Sequence, residues 1–259
     1  MLQEERYQRL RALLANFQQL TTERLAIDLG VSRETVRRDV LELEALGELR
    51  RVHGGVVATA PEPEPPINER LKVRLKEKRA IARAAAKLPS PGQTLFLVGG
   101  STTVSALAEE LVSLSGLTII TNSFDIALKL TAADGGGLPR HDVIMLGGRP
   151  SSGVAATYGE TTIREIHRYV ADWAFLSPVG LHPEQGATSY DHREAEVARA
   201  MVRQAKRTAI LADHSKIGQL SRVSFCPVDN IDVMVVDRRA SEQPVFAALS
   251  AAGREVVLA

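Results

Sequence analysis

Arginines are concentrated in a short stretch near the start of the chain, with a spacing that suits DNA. Five of the nine basic residues among the first 60 fall between positions 33 and 51. At the start of a recognition helix, arginine can bind guanine through two hydrogen bonds, and threonine can contact a methyl group or a phosphate. We therefore predict a DNA-reading surface with the candidate residues Thr22, Ser32, Arg33, Thr35, Arg37, Arg38, Arg50, Arg51 and His53. The alternative is a solvated, arginine-rich helix with side-chain pairs such as Glu34 and Arg38.

A second group of polar residues follows apolar runs and suits a small anion. The segment 97–103, Leu-Val-Gly-Gly-Ser-Thr-Thr, joins a predicted strand to a predicted helix. Glycines allow a close approach to the backbone, and the helix start offers unpaired N–H groups and a positive dipole end. Similar polar turns follow three further apolar runs. The predicted effector-binding residues are Gly99, Gly100, Ser101, Thr102, Thr103, Asn122, Gly147, Gly148, Asp213 and Lys216.

Each of these features has a simpler explanation. A Gly-Gly turn between strand and helix often serves packing alone, and a loop lysine is usually solvated. The glycine spacing is not Gly-x-Gly-x-x-Gly, and no Gly-Lys-Ser/Thr follows, so we expect neither a dinucleotide nor a nucleoside triphosphate. We predict no cofactor, and the ligand expected here is a small polyhydroxylated anion.

A metal site is a further alternative for one polar stretch. Five possible ligands lie within 13 positions, namely His182, Glu184, Asp191, His192 and Glu194. Their spacing does not match a helical metal-binding pattern, so we predict no metal. Cys226 has no neighbouring base or second cysteine and is expected to be a packed thiol.

The N-terminal candidates require a small helical module to position them. Leu10, Leu13, Leu14 and Phe17 recur with the periodicity of one helix face. Thr22 is placed to cap a second helix that Gly30 ends, and Ser32 to cap a third. The third helix is expected to bury Val36, Val40, Leu43 and Leu46 and to end at Gly47, before a hairpin over 49–57. This order predicts a winged helix-turn-helix.

A proline-rich stretch separates this module from the rest of the chain. Residues 61–66 read Pro-Glu-Pro-Glu-Pro-Pro, which excludes a helix there. Residues 68–88 then carry eight Lys and Arg against Glu69 and Glu77. The predicted organisation is a DNA-binding domain over 1–58, a proline-rich and basic linker over 59–76, and an effector domain over 77–259.

The effector domain alternates extended apolar runs with helical periodicity. Strands are predicted over 94–98, 117–120, 143–146, 173–176, 208–211 and 233–236, with helices over 104–111, 124–130 and 198–205. Such alternation favours an α/β fold with a mostly parallel sheet. Binding sites in such sheets lie at the carboxyl ends of the strands.

These motifs together resemble a known protein family. Residues 25–40, LAIDLGVSRETVRRDV, with the wing sequence RVHGG over 51–55, are similar to the DNA-binding signature of the DeoR family of bacterial sugar-operon repressors. Glu77-Lys78, Thr121-Asn122-Ser123, Glu194-Ala195 and the Asp-His-Ser-Lys turn over 213–216 extend the resemblance along the chain.

The resemblance implies a Rossmann-like C-terminal domain, similar in fold to ribose-5-phosphate isomerase, that senses a phosphorylated sugar or polyol. It places Gly100, Ser101, Thr102, Thr103 and Lys216 in the effector pocket. Val98 stands where the family often has aspartate, so one carboxylate partner for a sugar hydroxyl is missing.

The alternative function is a sugar-phosphate isomerase with a DNA-binding appendage. Aldose–ketose isomerisation requires a carboxylate base beside the substrate carbon. The run that follows Leu176 is Ser-Pro-Val-Gly, which contains no acid. We therefore predict a regulator and not an enzyme.

The composition is consistent with such a regulator. The 259 residues carry 32 basic and 31 acidic side chains, are 44% hydrophobic and include one cysteine. No apolar run approaches the ~18 residues of a membrane span, and no signal sequence is evident. We expect a cytoplasmic, nucleoid-associated protein whose partners are operator DNA, a sugar phosphate and further copies of itself as a dimer or tetramer, with no membrane partner.

Overall fold

The chain folds into two compact units, Met1–Glu62 and Pro63–Ala259, in this computed structural model. The structure describes residues 3–17, 19–46, 48–52, 54–58, 64–132, 139–151, 153–252 and 255–259. Gly47 and His53 lie outside the described residues. Each unit has its own hydrophobic core.

The N-terminal unit has the predicted helices and hairpin. Its elements are α1 (Gln3–Phe17), β1 (Gln19–Thr21), α2 (Thr22–Leu29), α3 (Arg33–Ala45), β2 (Leu49–Val52) and β3 (Gly55–Ala58). The strands form an antiparallel sheet in the order β1-β3-β2. Strand β1 was not predicted, because three residues are too short to show an alternating pattern.

The caps explain where α2 and α3 begin. Thr21, and not Thr22 as predicted, caps α2, with its Oγ1 accepting from the amide of Arg24 at 3.2 Å. Gly30 ends α2 in a left-handed conformation (φ +64°) that suits glycine. Ser32 caps α3 as predicted, its Oγ accepting from the amide of Thr35 at 3.1 Å.

The core of this unit comes from one face of each helix. Val36, Val40 and Leu43 of α3 are buried as expected. Leu46 was expected to be buried and is instead 64% exposed. Helix α3 ends at Ala45, the residue before Leu46, so Leu46 is not on the buried face of the helix.

The second unit is built on a seven-stranded sheet in which every pairing is parallel, in the order β15-β14-β12-β9-β4-β5-β6. Its strands are β4 (Thr94–Leu97), β5 (Thr118–Thr121), β6 (Asp142–Met145), β9 (Ala171–Leu176), β12 (Ala205–Ala212), β14 (Val233–Val236) and β15 (Glu255–Leu258). Most of their residues are buried because helices cover such a sheet on its faces. The predicted α/β class is confirmed.

The helices between these strands are α4 (Ile67–Arg70), α5 (Leu75–Ala85), α6 (Thr102–Leu111), α7 (Phe124–Thr131), α8 (Glu160–Ile166), α9 (His192–Arg203) and α10 (Phe246–Ala252). Smaller antiparallel sheets were not predicted; they join β7 (Arg149–Pro150) to β8 (Thr157–Tyr158), and β10 (Gly180–His182) to β11 (Gly186–Ser189) and β13 (Val223–Cys226).

The order of the strands fixes where a ligand can bind. From β4 the chain proceeds outward through β5 to β6, and it then returns to the other side of β4 to add β9, β12, β14 and β15. The strand order therefore reverses between β4 and β9. In open α/β sheets, ligands bind at this switch point, beside the carboxyl ends of the strands.

The segment 64–76 differs from the linker predicted over 59–76. It belongs to the second unit and contains α4 and the start of α5. Two of its basic side chains contact polar groups at the sheet edge: Arg70 donates to Gly100 O, and Arg74 pairs with Asp213. The composition of the segment did not indicate these contacts. Arg74 in this segment has a left-handed backbone (φ +53°), unlike every other non-glycine residue that the structure describes.

Candidate functional site

The exposed side of α3 carries the predicted DNA-reading residues. The side chains of Arg33 and Arg37 are 68% and 73% exposed, and Arg38 is exposed as well. Arg33 Nη1 lies 3.1 Å from Glu23 Oε1, a solvent-exposed ion pair of little stability. DNA phosphates can compete with such a pair, so these arginines are available to a nucleic acid.

Ser32 and Thr35 have a local structural role. Their hydroxyl oxygens are 2.9 Å apart, and Ser32 Oγ also accepts the Thr35 amide. These contacts fix the first turn of α3. Thr22, also predicted to contact DNA, is the first residue of α2, and its amide donates to Gly54 O at 3.3 Å in the hairpin turn.

The two wing arginines differ in their partners. Arg51 is held by Glu44 of α3, with its Nε 2.5 Å from Oε2 and its amide 2.9 Å from Oε1. Arg50 is exposed and has no ion pair among the residues that the structure describes. Arg50 is therefore the better candidate for a DNA phosphate, and Arg51 fixes the wing to α3. The predicted contact at His53 lies outside the described residues.

A buried ion pair that the sequence analysis missed positions α3. Asp39 is 1% exposed, and its two oxygens accept from Arg6 Nε at 2.6 Å and Nη2 at 2.8 Å. Such a two-point pair holds α3 against α1. Its signal in the sequence was an aspartate on the helix side otherwise occupied by Val36, Val40 and Leu43.

The second site is a cleft of about 1000 Å³, including its part open to solvent, at the switch point of the sheet. The turn after β4 forms one side, with Gly99, Gly100, Ser101, Thr102 and Thr103. The predicted Asp213 and Lys216 line the cleft too. Seven of the ten predicted effector residues therefore meet in one place.

The turn after β4 offers donors to an anion. Ser101 caps α6, accepting the Val104 amide at 3.2 Å. The first amides of α6 have no partner within the helix and carry its positive dipole end. Gly100 has φ +82°, and a Cβ there would lie 2.8 Å from the hydroxyl of Tyr158. Glycine is thus required both by the backbone and by the space.

The other three predicted residues do not line the cleft. Asn122 is fully buried: its Oδ1 accepts the Gly99 amide at 2.7 Å and its Nδ2 donates to Thr157 O at 2.8 Å. Asn122 therefore holds the glycine turn in place from behind the cleft lining.

Gly147 and Gly148 are structural as well. The amide of Gly147 donates to Glu165 at 2.5 Å. A Cβ on Gly148 would lie 2.0 Å from Thr162 Oγ1, and this residue has φ +144°. Close packing against α8 explains Gly148, whereas a Cβ on Gly147 would meet Glu165 at 3.4 Å, an ordinary contact distance. Neither glycine lines the cleft.

Four cationic side chains of the described residues line the cleft. The sequence analysis had placed two of them in the linker and had given a third no binding role. Lys216 was predicted, and Arg70, Arg74 and Lys78 come from the basic run after the prolines. Arg74 Nε lies 3.5 Å from Asp213 Oδ1. Lys78 Nζ donates to Arg70 O at 2.5 Å, and burial lowers the pKa of Lys78 although Asp213 acts in the opposite direction. The excess of basic residues over 68–88 was the available signal.

Carboxylates complete the lining. Glu194 Oε1 is 3.4 Å from the Tyr158 hydroxyl, and Ser189 Oγ is 3.5 Å from Glu194 Oε2. Burial raises the pKa of Glu194 to about 7, and the charges of Glu64 and Asp191 act in the same direction. Burial also raises the pKa of Tyr158. Glu194 can thus offer the hydroxyl-binding carboxyl group that Val98 does not supply.

Other candidates are placed away from this chemistry. Among the residues that the structure describes, no three His, Cys, Asp or Glu side chains are grouped so that they could hold a metal ion. Cys226 is buried, and burial raises the pKa of its thiol to about 12. No helix in the described ranges is long and apolar enough to cross a membrane.

Comparisons with known proteins match both halves of the chain. The DeoR-like helix-turn-helix domain matches residues 6–62, and the DeoR C terminal sensor domain matches residues 73–238. The HTH-type transcriptional repressor GlcR of Bacillus subtilis is 34% identical over 92% of this chain and 90% of its own length. The glycerol-3-phosphate regulon repressor of Escherichia coli is 28% identical over 92% of each chain.

A solved structure, ribose 5-phosphate isomerase A of Methanocaldococcus jannaschii, is 19% identical with a TM-score of 0.37 and covers 59% of this chain and 56% of that one. The two family matches fall in the two units of the chain, one in each. The chain belongs to the DeoR family of helix-turn-helix transcriptional regulators with a C-terminal sensor domain.

Proposed function

We propose that the protein represses a carbohydrate-catabolism operon and that a phosphorylated sugar or polyol, bound in the cleft of the second unit, controls its DNA binding. The observation that carries the proposal is the convergence of four cationic side chains and the start of α6 on one cleft. The relatives include a protein named as a glycerol-3-phosphate regulon repressor, which supports a small phosphate ester as effector.

The phosphate end of the effector would meet the glycine turn and Lys216. Backbone amides at a helix start bind phosphate oxygens, and a lysine ammonium adds a compact charge. The hydroxyls of the effector would meet Glu194 and Ser189, which line the same cleft. Binding of the phosphate by the cations and of the hydroxyls by the carboxyl groups explains why both kinds of group line one cleft. Binding of the effector in this way requires no cofactor.

At the DNA end, Arg33, Arg37 and Arg38 would read bases from the major groove, and Arg50 would contact a phosphate. A symmetric dimer or tetramer would place two copies of α3 about 34 Å apart, or a multiple of that distance, on a palindromic operator. Binding to chromosomal operators places the protein in the cytoplasm, on the nucleoid.

We propose binding without catalysis. The strand end after β9 carries Ser177 and Pro178, which provide no base. Glu194 has a pKa suited to proton transfer, but its carboxyl group contacts Tyr158 and Ser189, and among the described residues it has no hydrogen bond to a second carboxyl group for a proton relay.

The test is fluorescence anisotropy with DNA from upstream of the protein's own gene, titrated at two salt concentrations, with and without hexose, pentose and triose phosphates. We expect tight, salt-sensitive binding that one of the phosphates alters. Lys216→Ala should bind DNA as the wild type does and lose the response. If DNA binding is absent at both salt concentrations, or Lys216→Ala responds normally, the corresponding half of the proposal is wrong.

The same titration tests α3. Arg37→Ala should cost about 1–3 kcal/mol of binding free energy on the operator if the side chain contacts a base. The matched control is Arg9→Ala on α1, an exposed arginine that is paired with Glu5 and lies outside α3 and the wing. Equal affinities of both variants would remove Arg37 from the reading surface.

A further inference from the structure

Glu64 lies inside the effector cleft, where its carboxylate bridges two cations. Its Oε2 is 2.9 Å from Arg70 Nη1, and its Oε1 is 3.8 Å from Lys216 Nζ. The three side chains are 19%, 14% and 25% exposed, so the group is mostly screened from solvent. A carboxylate between a guanidinium and an ammonium occupies a place that suits any small anion.

Arg70 connects this carboxylate to the glycine turn. Its Nε donates to Pro65 O at 2.9 Å and its Nη1 to Gly100 O at 3.1 Å. The Glu64 carboxylate therefore lies beside the same turn whose amides face the cleft. An anionic group that binds Lys216 and the start of α6 would meet Glu64 at the same cations.

The balance of charges in the cleft favours competition between Glu64 and a bound anion. The described lining contains four cations, Arg70, Arg74, Lys78 and Lys216, and four acids, Glu64, Glu69, Glu194 and Asp213. Above about pH 7, where Glu194 is ionised as well, the cleft has no excess of positive charge while Glu64 is in place. Once Glu64 leaves, the cations outnumber the acids, and the balance favours a bound anion.

The segment that carries Glu64 is held mainly by polar contacts. No residue of α4 is buried, and the neighbouring Pro65 and Pro66 are exposed. The side chains of Glu64 and Arg70 make these contacts, and Lys78 Nζ also donates a hydrogen bond to the backbone oxygen of Arg70. Segments with little apolar burial detach at low free-energy cost.

The segment is also the start of the second unit. Strand β3 of the DNA-binding unit ends at Ala58, and Glu64 follows six residues later in the chain. Residues 64–70 therefore follow the DNA-binding unit closely in the sequence.

We propose that Glu64 acts as an internal substitute for the anionic group of the effector, and that the effector displaces it from Arg70 and Lys216, releasing residues 64–70 from the cleft. This inference rests on the proposed function, because it assumes that the cleft binds the effector. It adds a regulatory role for Glu64 and an anion-binding role for Arg70.

The test compares the full-length wild type with Glu64→Gln, which removes the charge and keeps the size of the side chain. Inorganic phosphate and sn-glycerol 3-phosphate are titrated by calorimetry at constant ionic strength. If Glu64 occupies the site about nine-tenths of the time, Glu64→Gln should bind both about tenfold more tightly. The matched control is Glu69→Gln, which lies in the same segment and cleft and makes no ion pair among the described residues.

Hydrogen exchange of the amides of residues 67–71, which follow the two prolines, gives a second readout. Phosphate should speed their exchange in the wild type, and in Glu64→Gln they should exchange fast already without phosphate. Equal phosphate affinities of the wild type, Glu64→Gln and Glu69→Gln, or slower exchange on binding, would overturn the role of Glu64 alone. If neither probe binds any of the three proteins at millimolar concentration, the anion site and the proposed function both fail.

Discussion

The side chain of Asn122 shows how a residue can matter to a binding site without contacting the ligand. It is buried and satisfies the amide of Gly99 and the carbonyl of Thr157 with one side chain. The sequence analysis placed Asn122 in the pocket because it follows a strand. In the structure Asn122 lies behind the lining of the pocket, where it fixes the backbone of Gly99, a residue that does line the pocket.

Replacement of Asn122 by alanine should therefore reduce stability. Asn122→Ala leaves a buried N–H and a buried C=O without partners, and we expect a loss of about 1–3 kcal/mol in the free energy of unfolding of the second unit. Urea denaturation followed by circular dichroism measures this loss. Asn230→Ala, at an exposed position, serves as the control and should change stability little. Equal stability of the two variants would contradict the role given to Asn122.

Glu194 makes the stability of the second unit depend on pH. Its pKa in the folded protein is about 7, against an ordinary value of 4.5, so the folded state holds the proton more tightly than the unfolded state. Stability must then fall as pH rises from about 4.5 to 7.

Glu194→Gln should abolish that fall. Relative to the variant, the wild type should lose at most about 3 kcal/mol between pH 5 and pH 8. Thermal or urea unfolding of both proteins across this range measures the difference, and Glu184→Gln, an exposed loop carboxylate, is the control. If the wild type and Glu194→Gln change in parallel with pH, Glu194 ionises normally.

The elements of both units were largely predictable, because their patterns are local. The turn and cap residues Gly30 and Ser32 specify α2 and α3, and the apolar runs specify the central strands. Strand β15 and the short antiparallel sheets were missed because they are not buried apolar runs: β15 has no buried residue, and the strands β7 and β8 have two residues each. The linker was placed too far along the chain because its basic residues read as solvated, whereas Arg70 and Lys78 contact polar groups that are distant in sequence.

The same limit applies to the site. Local sequence located the glycine turn and Lys216, since a strand followed by Gly-Gly-Ser has a direct structural meaning. It did not locate Arg70, Glu64 or Glu194 as cleft residues, because their arrival there depends on how the chain crosses the switch point of the sheet. It overestimated Gly147 and Gly148, since glycines required by packing and glycines required by a ligand look alike in a sequence.

The wing allows a prediction at the level of one element. Arg50 and Arg51 are adjacent on β2, and Arg51 alone is paired with Glu44. Loss of one phosphate contact reduces the slope of log K against log salt by about 1. We expect this reduction for Arg50→Ala. Arg51→Ala should leave the slope nearly unchanged and weaken operator binding by loosening the wing. Identical slopes for the two variants would contradict the assignment.

The whole molecule has two separate cores, and this organisation predicts how a ligand affects unfolding. A compound that binds the second unit stabilises it by about 2.7 kcal/mol at 100 times its Kd. Differential scanning calorimetry of the full chain should therefore show the transition of the second unit moving to higher temperature with the phosphate probes, and that of the first unit moving with operator DNA. A single transition that shifts with both ligands would mean that the two cores unfold together.

The parallel sheet has a further consequence for the newly made protein. Strand β4 pairs with β9, about 78 residues later in the chain, and β14 pairs with β15 at 255–258. The helix-turn-helix unit emerges from the ribosome first, and its core residues all lie within the first 62 positions. At about 5–20 residues per second, roughly 10–40 s of synthesis separate its completion from that of the sheet. During every round of translation, a DNA-binding module thus exists before the domain that is to govern it.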